Sequence, residues 1–95
     1  MYAIFFSKQA DKDKKLLVAA GLERKTRQLL SILMENPLQT PPRYEALVGN
    51  LAGFYSRRIN IQHRLVYQII NEPQVINGVS YDGVVKIARM WTHYE

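Results

Sequence analysis

Residues 53–70 read GFYSRRINIQHRLVYQII. Two runs rich in aromatic and branched apolar residues, 54–59 and 63–70, flank the three-residue turn Asn60-Ile61-Gln62. So short a connection makes the runs antiparallel neighbours in a sheet. Side chains alternate between the two faces of a strand. His63, Leu65, Tyr67 and Ile69 therefore point one way, and Arg64, Val66, Gln68 and Ile70 the other. The first set suits a face covered by helices, which leaves Arg64 on the open face. The same alternation puts Ser56 and Arg58 on one face and turns Arg57 away.

Outward from this hairpin, the chain supplies what covers the sheet. YAIFF (2–6) reads as a short strand, and Ser7 after it is a helix cap. KQADKDKKLLVAA (8–20) is charged, then apolar, and Gly21 is a natural stop. LERKTRQLLSILME (22–35) places Leu22, Leu29, Leu30 and Leu33 on one helical stripe, and Asn36-Pro37 ends it. PLQTPPRYEA (37–46) holds three of the four prolines and reads as a loop. LVGNL (47–51) reads as a short strand before Ala52-Gly53. NEPQVINGVSYDG (71–83) carries Asn-Gly and Asp-Gly turn signals and reads as an extended hairpin connection, and VVKIARMWTHY (84–94) as the last strand. The expected fold is α+β: a twisted antiparallel sheet of 4–5 strands, including the N-terminal one, with two helices packed on one face. The whole of 1–95 is expected to form a single domain, since 95 residues at 47% apolar content suffice for one core.

Composition narrows the function classes. There are no cysteines, so disulfides and thiolate metal sites are excluded. Two histidines, His63 and His93, are too few for an all-histidine metal site, and no Gly-rich phosphate loop or nucleophile elbow is present. No cofactor is expected. No run approaches the roughly 18 apolar residues of a membrane span, and the apolar start lacks a basic leader region, so the expectation is a cytoplasmic protein without membrane contact. Net charge is +5, with +3 in residues 1–35 and +2 in 36–95, so basicity is spread over the chain and suits a polyanionic partner. Lys8, Lys12, Lys14 and Lys15 form a basic cluster near the first helix. The remaining reactive side chains are Arg, Glu, His and Tyr, types sufficient for RNA cleavage by a base, a cation and an acid.

YEALVGNLAGFYSRRINIQHRLVYQI, with THY near the end, resembles the YoeB (Txe) branch of the RelE superfamily, and the likeness runs over nearly the whole chain. The resemblance implies a RelE-like microbial ribonuclease fold and a toxin of a toxin–antitoxin module. Such toxins are ribosome-dependent mRNA endonucleases. Carried over residue by residue, Glu45 is the general base, Arg64 the phosphate-stabilising arginine and His93 the general acid. Tyr94 helps place the substrate, and Arg58 lines the same basic cleft. Opposed arginines destabilise a strand pair, so their tolerance makes sense if a phosphate sits between Arg58 and Arg64; arginine's planar fork suits that anion. The implied partners are mRNA in the decoding site of the 70S ribosome and a YefM-like antitoxin with an acidic C-terminal segment. Operator DNA, reached through the antitoxin complex, and a second copy of the chain are further implied partners. Two other readings of the same fold stay open: a ParE-like gyrase inhibitor, and a ribosome-blocking binder that leaves mRNA intact. His63 reads as structural and Trp91 as core or interface. Two features depart from the family pattern: the long 71–83 connection, and Glu95 following Tyr94.

Overall fold

The computed structural model describes residues 1–91. Its elements, in order, are β1 (Tyr2–Phe6), α1 (Lys8–Ala19), α2 (Glu23–Glu35), β2 (Tyr44–Ala46), a 3-10 turn (Gly49–Leu51), β3 (Phe54–Arg58), β4 (Arg64–Ile70), β5 (Gln74–Ile76), β6 (Val79–Tyr81) and β7 (Gly83–Arg89).

Local chemistry sets the helix ends. Ser7 Oγ accepts from Ala10 N at 3.0 Å and donates to the Ala88 carbonyl at 2.8 Å, so one hydroxyl caps α1 and ties its start to the end of β7. At the other end Gly21, at φ +76°, donates to Val18 O, and Leu22 N reaches back to Leu17 O at 2.9 Å. This paired closure needs a left-handed residue after the helix, which is why glycine sits there. Leu22 then packs inward, and α2 buries Thr26, Leu29 and Leu33 on one stripe. Asn36 is extended ahead of Pro37, and the helix stops.

Five strands form one sheet in the order β1-β7-β4-β3-β2. The pairs β2–β3, β3–β4 and β4–β7 are antiparallel; β1 and β7 are parallel. The helical hairpin brings the chain back to the end of the sheet where β1 finished, so β2 sets out antiparallel to β1. Three further reversals give β7 the direction of β1. Alternation holds on β4: Leu65 and Tyr67 are buried among Leu17, Leu29, Leu33, Val85 and Ile87, with Ile69 packed against them.

One sequence expectation is corrected. LVGNL is not a strand: Gly49 adopts φ +66° and residues 49–51 coil into the 3-10 turn. The paired segment lies earlier, at Tyr44–Ala46, inside the stretch read as loop. The 71–83 connection, read as an extended hairpin connection, joins the antiparallel strands β4 and β7. It forms a separate two-stranded ribbon, β5–β6, whose Asn77 and Gly78 both take positive φ (51° and 79°), as a primed hairpin turn requires.

Asp13, fully buried on α1, fixes the exit of β7. Its carboxylate accepts from Met90 N at 2.8 Å, Arg89 Nε at 3.1 Å and Gln9 Nε2 at 3.0 Å. Burial pushes this carboxyl up, but the hydrogen bonds from Met90, Gln9 and Arg89, with the arginine charge, outweigh it and hold the group below its ordinary 3.8. A group depressed in the folded state stabilises above its unfolded value and loses that contribution as pH falls through the folded one. Asp13→Ala is expected to cost about 3 kcal/mol near neutral pH, because the Met90 amide loses its partner. In urea unfolding over a pH series, the gap from wild type should hold above pH ~4 and narrow below it. A gap that stays flat into strong acid would contradict this account.

Candidate active site

The adjacent arginines of β3 face opposite ways. Arg57 points under the sheet and is 1% exposed. Its Nε donates to Tyr67 Oη at 3.0 Å, Nη1 to the Pro42 carbonyl at 2.7 Å, and Nη2 to the carbonyls of Pro37 (3.0 Å) and Gln39 (2.8 Å). Tyr67 Oη in turn donates to Pro37 O at 2.9 Å. Burial raises the Tyr67 phenol above its ordinary 10.0, against the pull of the Arg57 hydrogen bond and charge, so the phenol keeps the proton it donates. Tyr44 lies over the guanidinium (5.2 Å to the ring centroid) and meets Tyr55 edge-on, and Tyr55 stacks on Tyr67. All four hydrogen-bond acceptors are neutral. The guanidinium thus gathers the carbonyls of the 37–42 loop, which would otherwise lie near the core unpaired, and delivers the chain to β2 in register.

That register builds the site. Glu45 lies opposite Ser56, and Arg58 opposite Arg64. On the open face Arg43, Glu45, Ser56, Arg58 and Arg64 line a cleft of about 230 Å³; Tyr44 also borders it, although its ring turns to Arg57 on the other face. Arg64 Nη1 is 3.4 Å from Glu45 Oε1, with the two side chains 20% and 47% exposed. A pair this long and this solvated is weak. Three arginines against one carboxylate leave the cleft at +2, a potential that draws an anion in and a bridge that an anion can displace. Glu45, Arg58 and Arg64, picked out from the sequence, are thereby brought together. Arg43 and Tyr44 were not picked out. Arg43 precedes Glu45 by two, a spacing that shares a face once β2 is known. His93 and Tyr94 lie outside the described residues. His63 is buried and stacks on Trp91 at 4.0 Å between ring centroids, beneath the sheet. Among the described residues no group of His, Asp and Glu could hold a metal ion, and no helix is long and apolar enough to cross a membrane.

Residues 6–94 match the family model for YoeB-like toxins of bacterial type II toxin–antitoxin systems. The chain belongs to that family. Toxin YoeB of a Synechocystis strain is 39% identical over 64 residues, 67% of either chain. YoeB in a heterotetrameric YoeB–YefM complex from Staphylococcus aureus superposes with TM-score 0.72 at 35% identity, covering 99% of both chains. A YoeB dimer from the same organism gives 0.73 at 35% over 98% of both. The family match runs through residue 94 and so takes in His93 and Tyr94.

In this YoeB-like chain the two neighbouring arginines separate stability from surface chemistry. Arg57→Lys is expected to destabilise by at least about 2 kcal/mol, since one ammonium cannot span four acceptors in the geometry of a planar fork. Arg58→Ala should stay within about 0.5 kcal/mol of wild type, or gain slightly from relief of the opposed Arg64. Thermal melts of the two variants side by side check both; equal losses would refute the division.

Proposed function

We propose that this toxin is an endoribonuclease that cuts mRNA in the ribosomal decoding site and so stops translation. The observation that carries the reading is the convergence of Glu45, Arg58 and Arg64 on one basic cleft, with the carboxylate held against Arg64. A phosphodiester entering between Arg58 and Arg64 takes over Arg64 and frees Glu45. Glu45 accepts the proton of the ribose 2′-hydroxyl, and the oxygen attacks the adjacent phosphorus. Arg64, with Arg58, offsets the charge that grows on the phosphorane oxygens. The bond from phosphorus to the 5′-oxygen breaks, and His93 gives that oxygen its proton. The products are a 2′,3′-cyclic phosphate and a 5′-hydroxyl, and the scheme uses no metal ion. Tyr94 helps seat the substrate. The roles of His93 and Tyr94 rest on the family motif.

The same reading supplies the partners. An antitoxin of the YefM kind, with an acidic C-terminal segment, would neutralise the +2 cleft, as the Staphylococcus aureus YoeB–YefM complex suggests by analogy. The Staphylococcus aureus YoeB dimer supports a homodimer here. Operator DNA would be met through the antitoxin complex. A ribosomal target places the toxin in the cytoplasm.

Primer extension on a defined mRNA, in a purified translation system with and without ribosomes, tests the reading. Wild type is expected to cut within the decoding-site codon only when ribosomes are present. Glu45→Ala and His93→Ala should each lose about 10²–10⁴ in rate. Both variants cutting as well as wild type would sink the role assignment. Intact mRNA on stalled ribosomes would favour blocking by occupancy, and intact mRNA with normal translation would direct attention to gyrase supercoiling.

A further inference from the structure

Ser56 lies on the open face at the floor of the cleft, yet its hydroxyl is out of contact with water and bonds no other group among the described residues. A buried hydroxyl without a partner is a standing cost, and folded proteins rarely carry one without use. Its surroundings narrow the use. Across β4 its partner in register is apolar Val66; across β2 it is Glu45. Directly opposed residues of an antiparallel pair hold their Cβ atoms about 5 Å apart, within reach of a hydroxyl and a flexible carboxylate. At rest Glu45 leans toward Arg64 instead, at 3.4 Å. The other charged groups facing this carboxylate within the cleft are Arg43 and Arg58.

We infer that Ser56 is a positioning residue for Glu45, silent in the empty cleft and engaged once an anion occupies it. This rests on the proposed nuclease reading. When a phosphodiester claims Arg64, Glu45 loses its donor and would be left to sample several rotamers. Ser56 Oγ then donates to one carboxylate oxygen. The other oxygen stays free to accept the 2′-hydroxyl proton, and Ser56 itself neither gains nor loses one. A base must lie within hydrogen-bond reach of the proton that it takes, so pinning it raises the rate of the chemical step rather than the grip on the substrate.

Single-turnover cleavage on programmed ribosomes, measured against toxin concentration, separates the two. Ser56→Ala should lower the maximal rate about tenfold with the half-saturating concentration unchanged, and Ser56→Thr, which keeps the hydroxyl, should restore it. A raised half-saturating concentration at full rate would overturn the inference and make Ser56 a phosphate contact; no change in either quantity would make it filler. A second measurement does not need cleavage. With sulfate standing in for the phosphodiester, the Ser56 hydroxyl proton of wild type should become protected from exchange in NMR spectra, and Glu45→Ala should abolish that protection. Absence of protection in wild type would overturn the inference even for an active nuclease. Protection without any ribosomal cleavage would uphold the Ser56–Glu45 bond and count against the nuclease reading alone.

Discussion

The structure depends on one buried guanidinium. Arg57 collects three backbone carbonyls from the 37–42 loop and a tyrosine hydroxyl, and no carboxylate is among these four partners. A charge taken out of water is costly unless its hydrogen bonds are made, and here four are. The loop gains as much as the arginine does. Three prolines leave it few amide donors, so its carbonyls need donors from elsewhere, and a planar fork with five N–H groups is the densest supply a side chain offers. The strand that follows the loop, β2, is only three residues long and could not choose its own register. Arg57, pinned to the loop, chooses it.

The electrostatic arrangement of the cleft follows from that register. Arg58 and Arg64 oppose each other across β3 and β4, a pairing that weakens the sheet. Glu45 arrives on β2 to offset part of the repulsion through its long contact with Arg64. The bridge is long and solvated, strong enough to keep two cations tolerable and weak enough for an anion to compete with it. The arginine with the deepest burial is structural, and those with partial exposure face the cleft. Burial, not residue type, divides the labour between neighbours in sequence.

Much of this was legible beforehand, for physical reasons. Strand alternation around a three-residue turn suffices to separate Arg57 from Arg58 and to set Arg58 beside Arg64. Helix ends were readable because Ser7, Gly21 and Pro37 act locally. What escaped was decided at a distance. Tyr44–Ala46 carries little strand signal of its own, and its pairing comes from a loop that Arg57 anchors at positions fifteen to twenty residues away in sequence. With β2 misplaced into 47–51, Arg43 could not be assigned to the face of Glu45, nor Tyr44 to the opposite face beside Arg57. The independent β5–β6 ribbon was half legible: Asn77-Gly78 announced the turn, but no sequence pattern stated that the ribbon would stand apart from the main sheet.

The placement of Asp13 extends the same logic to the far side of the sheet. Arg57 fixes the chain three residues before Glu45 through the Pro42 carbonyl; Asp13 fixes it three residues before His93 through the Met90 amide. The start of β2 and the end of β7 thus each adjoin a buried ionic anchor, one cationic and gripping carbonyls, the other anionic and gripping amide and guanidinium. Neither anchor touches the cleft. A short β2 and the end of an edge-proximal strand are poor platforms in themselves, since few ladder bonds constrain them. Burying a charge beside each converts a frayed end into a defined one, because releasing the backbone there would leave that charge without its partners. Side chains at the margins of the sheet, Glu45 among them, are then held by the scaffold although few ladder bonds reach them.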